Sequence, residues 1–219
     1  MYMSDSKMNA WNKIYSDTDG YLEKPDEIIT RLVNDHQIKS SLDVGAGNGR
    51  HSIFLASKGV RVKAIDISGE GLKLLSKNAA SKGLTVETDV ISADEYYDSN
   101  KYDLVLSTGG VLNFLDKPTS IQVIQRLKNN VQDGGYMYIT VFTIHDSAFS
   151  RQYKLAETKN EDTYYSDKIG TWVTGFKDNE LKMIFENWII IEYFEKNILD
   201  DGHGEPHYHH TAGILAKFI

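Results

Sequence analysis

The sequence predicts an α/β fold: a doubly wound, seven-stranded, mostly parallel sheet with the last strand antiparallel, in three α/β/α layers. Short apolar runs alternate with segments whose apolar residues recur every three or four positions. The final two apolar runs have no helical pattern between them, so they can pair as an antiparallel hairpin. The 219 residues, 41% hydrophobic and 25% charged, suffice for one domain, which we expect to span residues 1–219.

The first half of the chain predicts four helices and four strands. Leading helices are expected over residues 8–16 and 25–37, followed by a strand over 40–45 and a helix over 49–58 that Gly59 ends. A strand over 60–66 comes next. Ser68 suits the N-cap of the following helix, and Leu72, Leu75 and Ala79 give that helix an apolar face. Strands over 84–90 and 102–107 follow.

The second half predicts the rest of the sheet and one insertion. Pro118 suits the first turn of a helix, and a strand is expected over 136–142. Residues 143–177 are rich in aromatic side chains and show no clear period, so we predict an irregular insertion. A short helix over 178–186, a strand over 187–196 and a strand over 211–219 complete the fold.

Composition excludes several functional classes. The formal net charge of −7 argues against a general nucleic-acid binder, which needs a basic face. The absence of cysteine excludes disulfides, thiolate metal sites and a cysteine nucleophile. No secretory signal is visible, and no run approaches the ~18 apolar residues of a membrane span. We therefore expect a cytoplasmic protein without a membrane partner; the sequence does not set its oligomeric state.

The most informative segment is LDVGAGNGR at residues 42–50, where Gly45, Gly47 and Gly49 directly follow a predicted strand. Glycine permits positive φ and lets a ligand approach the backbone closely. The carboxyl end of the first strand is where α/β proteins bind nucleoside cofactors. A plain helix-entry turn is the alternative, but an acidic residue after the next strand favours the cofactor site.

Two further strand ends carry acidic residues. Asp66 lies about twenty residues after Gly45 and is suited to the two ribose hydroxyls; an N-cap role is the alternative. Asp89 could accept from the adenine amino group while the N–H of Val90 donates to a ring nitrogen, or it could be a solvated acid. Ile67 could cover the adenine ring or belong to the core.

Asp43 distinguishes between nucleoside cofactors. The motif is D-x-G-x-G-x-G rather than the dinucleotide pattern G-x-G-x-x-G. A carboxylate is unfavourable beside a pyrophosphate but suits a cofactor that carries an ammonium or sulfonium group. The motif therefore favours S-adenosylmethionine over NAD, and an NAD(P)-dependent oxidoreductase remains as an alternative.

Several segments resemble known families. LDVGAGNGR, VKAIDIS, the strand end at Asp89 and YDLVLSTGG resemble the successive motifs of class I S-adenosylmethionine-dependent methyltransferases. GNGRHSIFLA, STGGVLNFL, DGGYMYITVF, GFKDNELKMIFENW and HGEPHYHHTAGILAKF are similar to the tellurite-resistance methyltransferase group. The resemblance implies this fold and methyl transfer to a small-molecule acceptor.

The resemblance also implies roles for individual residues. Asp43 and the three glycines would hold the methionine portion, Asp66 the ribose, and Asp89 with Val90 the adenine. Ser107 would offer its backbone carbonyl to the methionine amino group. The chain departs from the group at Asp133, where a proline is usual, and at His207-Tyr208, where a His-Arg pair is usual. An arginine would bind an oxyanion in bidentate fashion, so its absence argues against tellurite as substrate.

The segment DDGHGEPHYHH holds four histidines, His203, His207, His209 and His210. The resemblance implies that His207 contacts the acceptor or acts as a general base. A metal site that combines His207 and His209 with Asp200 or Asp201 is one alternative, and polar residues at a hairpin turn are the other. We assign no metal site from the sequence. A non-catalytic cofactor-binding or metal-sensing module is the corresponding alternative function.

Two segments could close the predicted site. Trp11 and Tyr15 lie one turn apart on the first predicted helix, so residues 1–37 could cap the pocket. Residues 143–177 could form a lid over the reacting methyl group. For both segments, ordinary surface packing of the aromatic side chains is the alternative.

Overall fold

The computed structural model describes residues 2–17, 24–200 and 207–219. The helices are Tyr2–Ser16 (α1), Glu27–Asp35 (α2), Arg50–Ser57 (α3), Gly69–Ala80 (α4), Lys117–Lys128 (α5), Ser147–Tyr153 (α6) and Glu180–Ile184 (α7), with a 3₁₀ turn at Val111–Phe114. The strands are Ser40–Val44 (β1), Arg61–Asp66 (β2), Glu87–Val90 (β3), Tyr102–Ser107 (β4), Val131–Phe142 (β5), Thr158–Asn160 (β6), Thr163–Ser166 (β7), Thr171–Thr174 (β8), Ile189–Asp200 (β9) and His207–Lys217 (β10).

Seven of these strands form one sheet in the order β3-β2-β1-β4-β5-β10-β9. The pairs among β1 to β5 are parallel, whereas β10 is antiparallel to both β5 and β9. The reversed strand is therefore the last one, and it lies between β5 and β9. The predicted fold class is confirmed.

Helices cover the sheet because alternate strand residues are apolar on both faces. On β4, Val105 packs into the core on one face, while Leu104 and Leu106 pack into a second cluster that includes Ile29 of α2 and Leu55 of α3. Continuous apolar strands of this kind are typical of a parallel sheet with both faces covered.

The local signals around the first helices are confirmed. The Oγ of Ser68 accepts from the backbone N–H of Gly71 at 3.1 Å and so caps α4. The predicted apolar face of α4, formed by Leu72, Leu75 and Ala79, is buried. Gly59 follows α3 with φ of +81°, the left-handed conformation that commonly ends a helix.

The prediction that the insertion at residues 143–177 is irregular is wrong. The segment contains α6 and a second, antiparallel sheet in the order β6-β7-β8. Its strands are three or four residues long, too short to show a period in the sequence. The side chain of Asn113 ties this sheet to the main one, because its Nδ2 donates to the carbonyls of Phe142 and Thr174.

The last hairpin is longer than predicted. Strand β9 runs to Asp200 and β10 begins at His207, so the described histidines lie on a strand rather than at its turn. Asp201 and His203 lie outside the described residues. Strand β5 also begins early, at Val131 rather than 136, and passes through the predicted glycine turn.

Candidate functional site

The glycine motif forms a turn that needs glycine for two reasons. Gly45, Gly47 and Gly49 have φ of +78°, +54° and +95°. A Cβ on Gly45 would lie 2.1 Å from Val111 Cγ2, and one on Gly47 would lie 2.1 Å from the hydroxyl of Tyr15. The turn therefore brings bare backbone against side chains from two other parts of the fold.

Above this turn lies a cavity of about 1120 Å³ at the carboxyl ends of the parallel strands. The glycine turn, the segments that follow β2, β3 and β4, helix α1 and the insertion all contribute to its wall. Ligand pockets usually measure about 300–1,000 Å³, so this space can hold a nucleoside cofactor together with a small second molecule.

Asp66 ends β2 and lines the cavity, followed directly by Ile67. Its two carboxylate oxygens accept from the backbone N–H of Gly47 at 2.8 Å and of Ser68 at 2.7 Å. The side chain is only 8% exposed. Burial raises the pKa of Asp66 to about 6, although the two hydrogen bonds act in the opposite direction.

Asp43, on β1, also lines the cavity and is buried. Its carboxylate accepts from the hydroxyl of Ser52 at 2.6 Å. Burial raises the pKa of Asp43, while the nearby His51 and the bond from Ser52 oppose that rise. A cationic group placed beside this carboxylate would favour its ionised form.

A polar cluster that the sequence did not indicate adjoins these two acids. Asp26 Oδ1 lies 3.5 Å from Arg50 Nη1 and 3.4 Å from His51 Nε2, and the hydroxyl of Tyr138 donates to Asp26 Oδ2 at 2.9 Å. Burial alone would raise the pKa of Asp26, but these partners outweigh it and hold the pKa well below the ordinary value. Asp26, Arg50 and His51 all line the cavity.

The sequence does indicate that two members of this cluster lie near the glycine turn. Arg50 and His51 directly follow Gly49, so they occupy the first turn of α3 beside the glycine turn. Their approach to Asp26 depends on tertiary packing.

The structure places Asp89 and Val90 away from the cavity wall. The exposed carboxylate of Asp89 lies 2.5 Å from Lys63 Nζ, which also contacts Glu87, two residues earlier on the same face of β3. The side chain of Val90 is 59% exposed. Ile91 and Ser92, which directly follow the last residue of β3, line the cavity instead. The predicted adenine contact of the Asp89 carboxylate disagrees with this placement.

Ser107 ends β4 and is buried, and its Oγ has no hydrogen-bond partner among the described residues. Its side chain is not part of the cavity wall; Thr108 and Gly109 are. The carbonyl contact predicted for Ser107 stays a prediction.

Helix α1 packs across the cavity. Asn12 Oδ1 accepts from Ser68 Oγ at 2.8 Å and from the N–H of Glu70 at 3.2 Å, which ties α1 to the start of α4. Trp11 lines the cavity and packs edge-on against Phe114 with ring centres 5.0 Å apart. The insertion also contributes to the cavity wall, through several side chains of residues 148–156 and through residues 164–169.

Of the described histidines of the last hairpin, His209 lines the cavity. The predicted catalytic residue His207 is not part of the cavity wall but contacts His209. The Nε2 atoms of His207 and His209 are 3.1 Å apart. His209 Nδ1 lies 2.7 Å from Asp146 Oδ2, and its ring stacks on Phe142 at 4.3 Å. His210 contacts the hydroxyl of Thr143 at 2.6 Å.

The Asp146–His209 pair shifts both groups toward their charged forms. The hydrogen bond with Asp146 raises the pKa of His209 against the effect of burial. Burial would raise the pKa of Asp146, but the bonds from His209 and from backbone N–H groups lower it. The pair is therefore a fixed polar contact at the wall of the cavity.

The sequence matches a known family over most of its length. A family model described as tellurite resistance protein TehB matches residues 22–205. The chain is 23% identical over 155 residues to a probable S-adenosyl-L-methionine-dependent methyltransferase TehB of Haemophilus influenzae, covering 70% of this chain and 47% of that protein. It is 30% identical over 104 residues to a ubiquinone biosynthesis O-methyltransferase of Paraburkholderia phytofirmans, 47% of this chain and 44% of that one. The chain thus spans about half the length of the curated relatives that it matches.

Solved structures show the same fold. TehB from Haemophilus influenzae superimposes with a TM-score of 0.69 at 22% identity, covering 97% of this chain and 67% of that one. The N-methyltransferase NodS from Bradyrhizobium japonicum, in complex with S-adenosyl-L-homocysteine, gives 0.67 at 14% identity, with coverage of 98% and 99%. Among the described helices, none has the length and apolar character needed to cross a membrane.

Proposed function

Because the chain belongs to the TehB tellurite resistance protein family, we propose that it transfers a methyl group from S-adenosylmethionine to a small-molecule acceptor. The observation that carries the proposal is the setting of Asp66. Its carboxylate is buried between the backbone N–H of Gly47 in the glycine turn and that of Ser68 at the start of α4, yet it also lines the cavity beside Ile67. Such a carboxylate can accept from both ribose hydroxyls, and Ile67 offers an apolar face to adenine.

The acids and the arginine beside the glycine turn fit the amino-acid end of the cofactor. Asp43 offers a buried negative charge to an ammonium group, and Arg50 offers donors to a carboxylate. The carbonyl of Ser107 is the further acceptor for the ammonium that the family resemblance implies. A pyrophosphate would instead meet the negative charges of Asp43 and Asp66.

We propose that the adenine end of the cofactor binds at the segment that follows β3. Ile91, Ser92 and Ala93 line the cavity there, and the backbone of Val90 leads directly into them. We place adenine against this segment, with backbone groups rather than the Asp89 carboxylate as its partners.

The bound cofactor would supply an electrophilic methyl group on a sulfonium centre, which an acceptor attacks in line. The protein's own part is to orient the two molecules and to exclude water, and orientation can supply up to roughly 7–11 kcal/mol. Trp11 and Tyr15 on α1 line the cavity together with residues of the insertion, so these segments are suited to close it. His209, held by Asp146, is positioned to contact the acceptor, and His207 contacts the imidazole of His209.

Calorimetry and an activity panel test the proposal. We expect the protein to bind S-adenosylhomocysteine and not NADH, and to release S-adenosylhomocysteine from S-adenosylmethionine with an acceptor among thiols, selenite, tellurite, amines and phenols. Binding of NADH without S-adenosylhomocysteine would favour the oxidoreductase instead. Cofactor binding without turnover on any acceptor would favour the non-catalytic module.

The net charge of −7 supports a small molecule over nucleic acid as acceptor. The cytoplasmic location stays a prediction.

A further inference from the structure

The last hairpin brings three metal-ligating side chains to one point. Asp200 ends β9 directly opposite His207, the first residue of β10, and His209 follows on the same face of that strand. His209 Nε2 lies 3.1 Å from His207 Nε2 and 3.8 Å from Asp200 Oδ2. One ligand atom from each of the three residues lies within 4.8 Å of the other two. We propose that Asp200, His207 and His209 bind a divalent transition-metal ion, with Zn²⁺ the best match.

The distances agree with tetrahedral coordination. Ligands about 2.0–2.1 Å from Zn²⁺ at tetrahedral angles lie about 3.3 Å from one another. The two distances at His209 Nε2, 3.1 and 3.8 Å, lie on either side of that value, so small side-chain rotations would complete the site. Two imidazoles and one carboxylate suit zinc and its neighbours rather than Mg²⁺ or Ca²⁺, which prefer oxygen ligands alone.

A buried carboxylate fixes the orientation of His209. Asp146 Oδ2 holds His209 Nδ1 at 2.7 Å, while its Oδ1 accepts from the N–H groups of Ala148 and Phe149 at 2.9 and 3.0 Å. Stacking on Phe142 fixes the plane of the imidazole ring. The Nε2 of His209 is thereby directed toward Asp200 and His207. Metal-ligating histidines characteristically make this second contact to a carboxylate.

A simple hydrogen-bond relay is the competing explanation. A chain from Asp146 through His209 to His207 accounts for the 3.1 Å contact between the two imidazoles without a metal ion. The relay predicts no metal affinity, so a binding measurement separates the two explanations.

Three protein ligands leave one tetrahedral position open. Asp200 and His209 both line the cavity, so the open position can face it. If the methyltransferase proposal holds, the metal would there take a thiol-class acceptor, because a coordinated thiol is held as the thiolate.

Cobalt titration of the metal-free 219-residue chain tests the site. Co²⁺ should bind at one equivalent with the visible absorption of tetrahedral coordination, and Zn²⁺ should displace it. The changes His207→Ala, His209→Ala and Asp200→Asn should each weaken binding at least tenfold. His36→Ala, at an exposed histidine elsewhere in the fold, is the matched control and should leave binding unchanged.

Absence of tetrahedral Co²⁺ in the wild type would overturn the site, as would unchanged binding in the three variants. Thermal unfolding without metal checks each variant; if His209→Ala fails to fold, His207→Ala and Asp200→Asn decide. Adding 2-mercaptoethanol should produce sulfur-to-cobalt charge-transfer absorption, and its absence with cobalt bound would refute the open position. Calorimetry with S-adenosylhomocysteine on the metal-free protein tests the methyltransferase proposal independently, because no cofactor-binding residue belongs to the metal site.

Discussion

The change Asp66→Asn offers the sharpest test of the cofactor site. With a pKa of about 6, Asp66 is about nine-tenths ionised at pH 7 and about one-tenth ionised at pH 5. The ionised carboxylate is the form that can accept from both ribose hydroxyls. We therefore expect the affinity of the wild-type protein for S-adenosylhomocysteine to fall roughly tenfold between pH 7 and pH 5.

Asparagine removes the charge and one of the two acceptor oxygens. Hydrogen bonds to a charged group contribute about 1.5–3 kcal/mol, so Asp66→Asn should weaken binding at pH 7 by roughly 10- to 150-fold. The residual affinity should vary less between pH 5 and pH 7 than that of the wild type. Isothermal titration calorimetry at pH 5, 6 and 7 measures both effects.

Asp89→Asn is the matched control, because the same change is made at the exposed acid paired with Lys63. It should leave the affinity within twofold of the wild type. If Asp66→Asn bound the ligand as the wild type does, or if Asp89→Asn weakened binding equally, Asp66 would not be the ribose-binding group.

Asp66 also affects the stability of the ligand-free protein. Because the pKa of Asp66 is higher in the folded than in the unfolded state, the free energy of unfolding is greatest below about pH 4. It falls by about 3 kcal/mol in total as the pH rises through 6. The pH dependence of the free energy of unfolding should therefore differ between the wild type and Asp66→Asn by about this amount, in the direction that favours the variant at neutral pH. Asparagine leaves one backbone N–H without its acceptor, which reduces that gain by about 1–3 kcal/mol.

Three further changes test the surroundings of the site. Gly47→Ala places a Cβ 2.1 Å from the Tyr15 hydroxyl and should abolish measurable cofactor binding. Gly59→Ala, where a Cβ would have nothing within 4 Å, should lower the free energy of unfolding by only about 1–2 kcal/mol and leave calorimetric binding unchanged. Tyr138→Phe removes the bond to the Asp26 carboxylate and should lower the free energy of denaturant unfolding by about 2 kcal/mol at pH 7; because the pKa of Asp26 is lowered, the difference should shrink as the pH falls below about 4. Trp11→Ala should weaken S-adenosylhomocysteine binding about three- to tenfold if α1 caps the cavity, and unchanged affinity would assign Trp11 to packing alone.

Local sequence patterns were sufficient to predict the fold class and the glycine turn at the base of the cavity. The parallel strands, the reversed last strand and the glycine turn follow from periods and residue types that act over a few neighbouring positions. The position of Asp66 beside that turn follows in the same way, because consecutive parallel strands end at one edge of the sheet.

Which side chains contact one another around the cavity depends on the packing of distant elements. Asp146 and His209 are 63 residues apart, and no local pattern indicates that they touch. The same holds for Asp26 and Tyr138, which are 112 residues apart. The end of β3 at residue 90 was predicted, but the partner of each side chain near that end was not: Asp89 contacts Lys63, whereas Ser92 lines the cavity. Local propensities set the elements, whereas packing between distant elements sets the chemistry of the site.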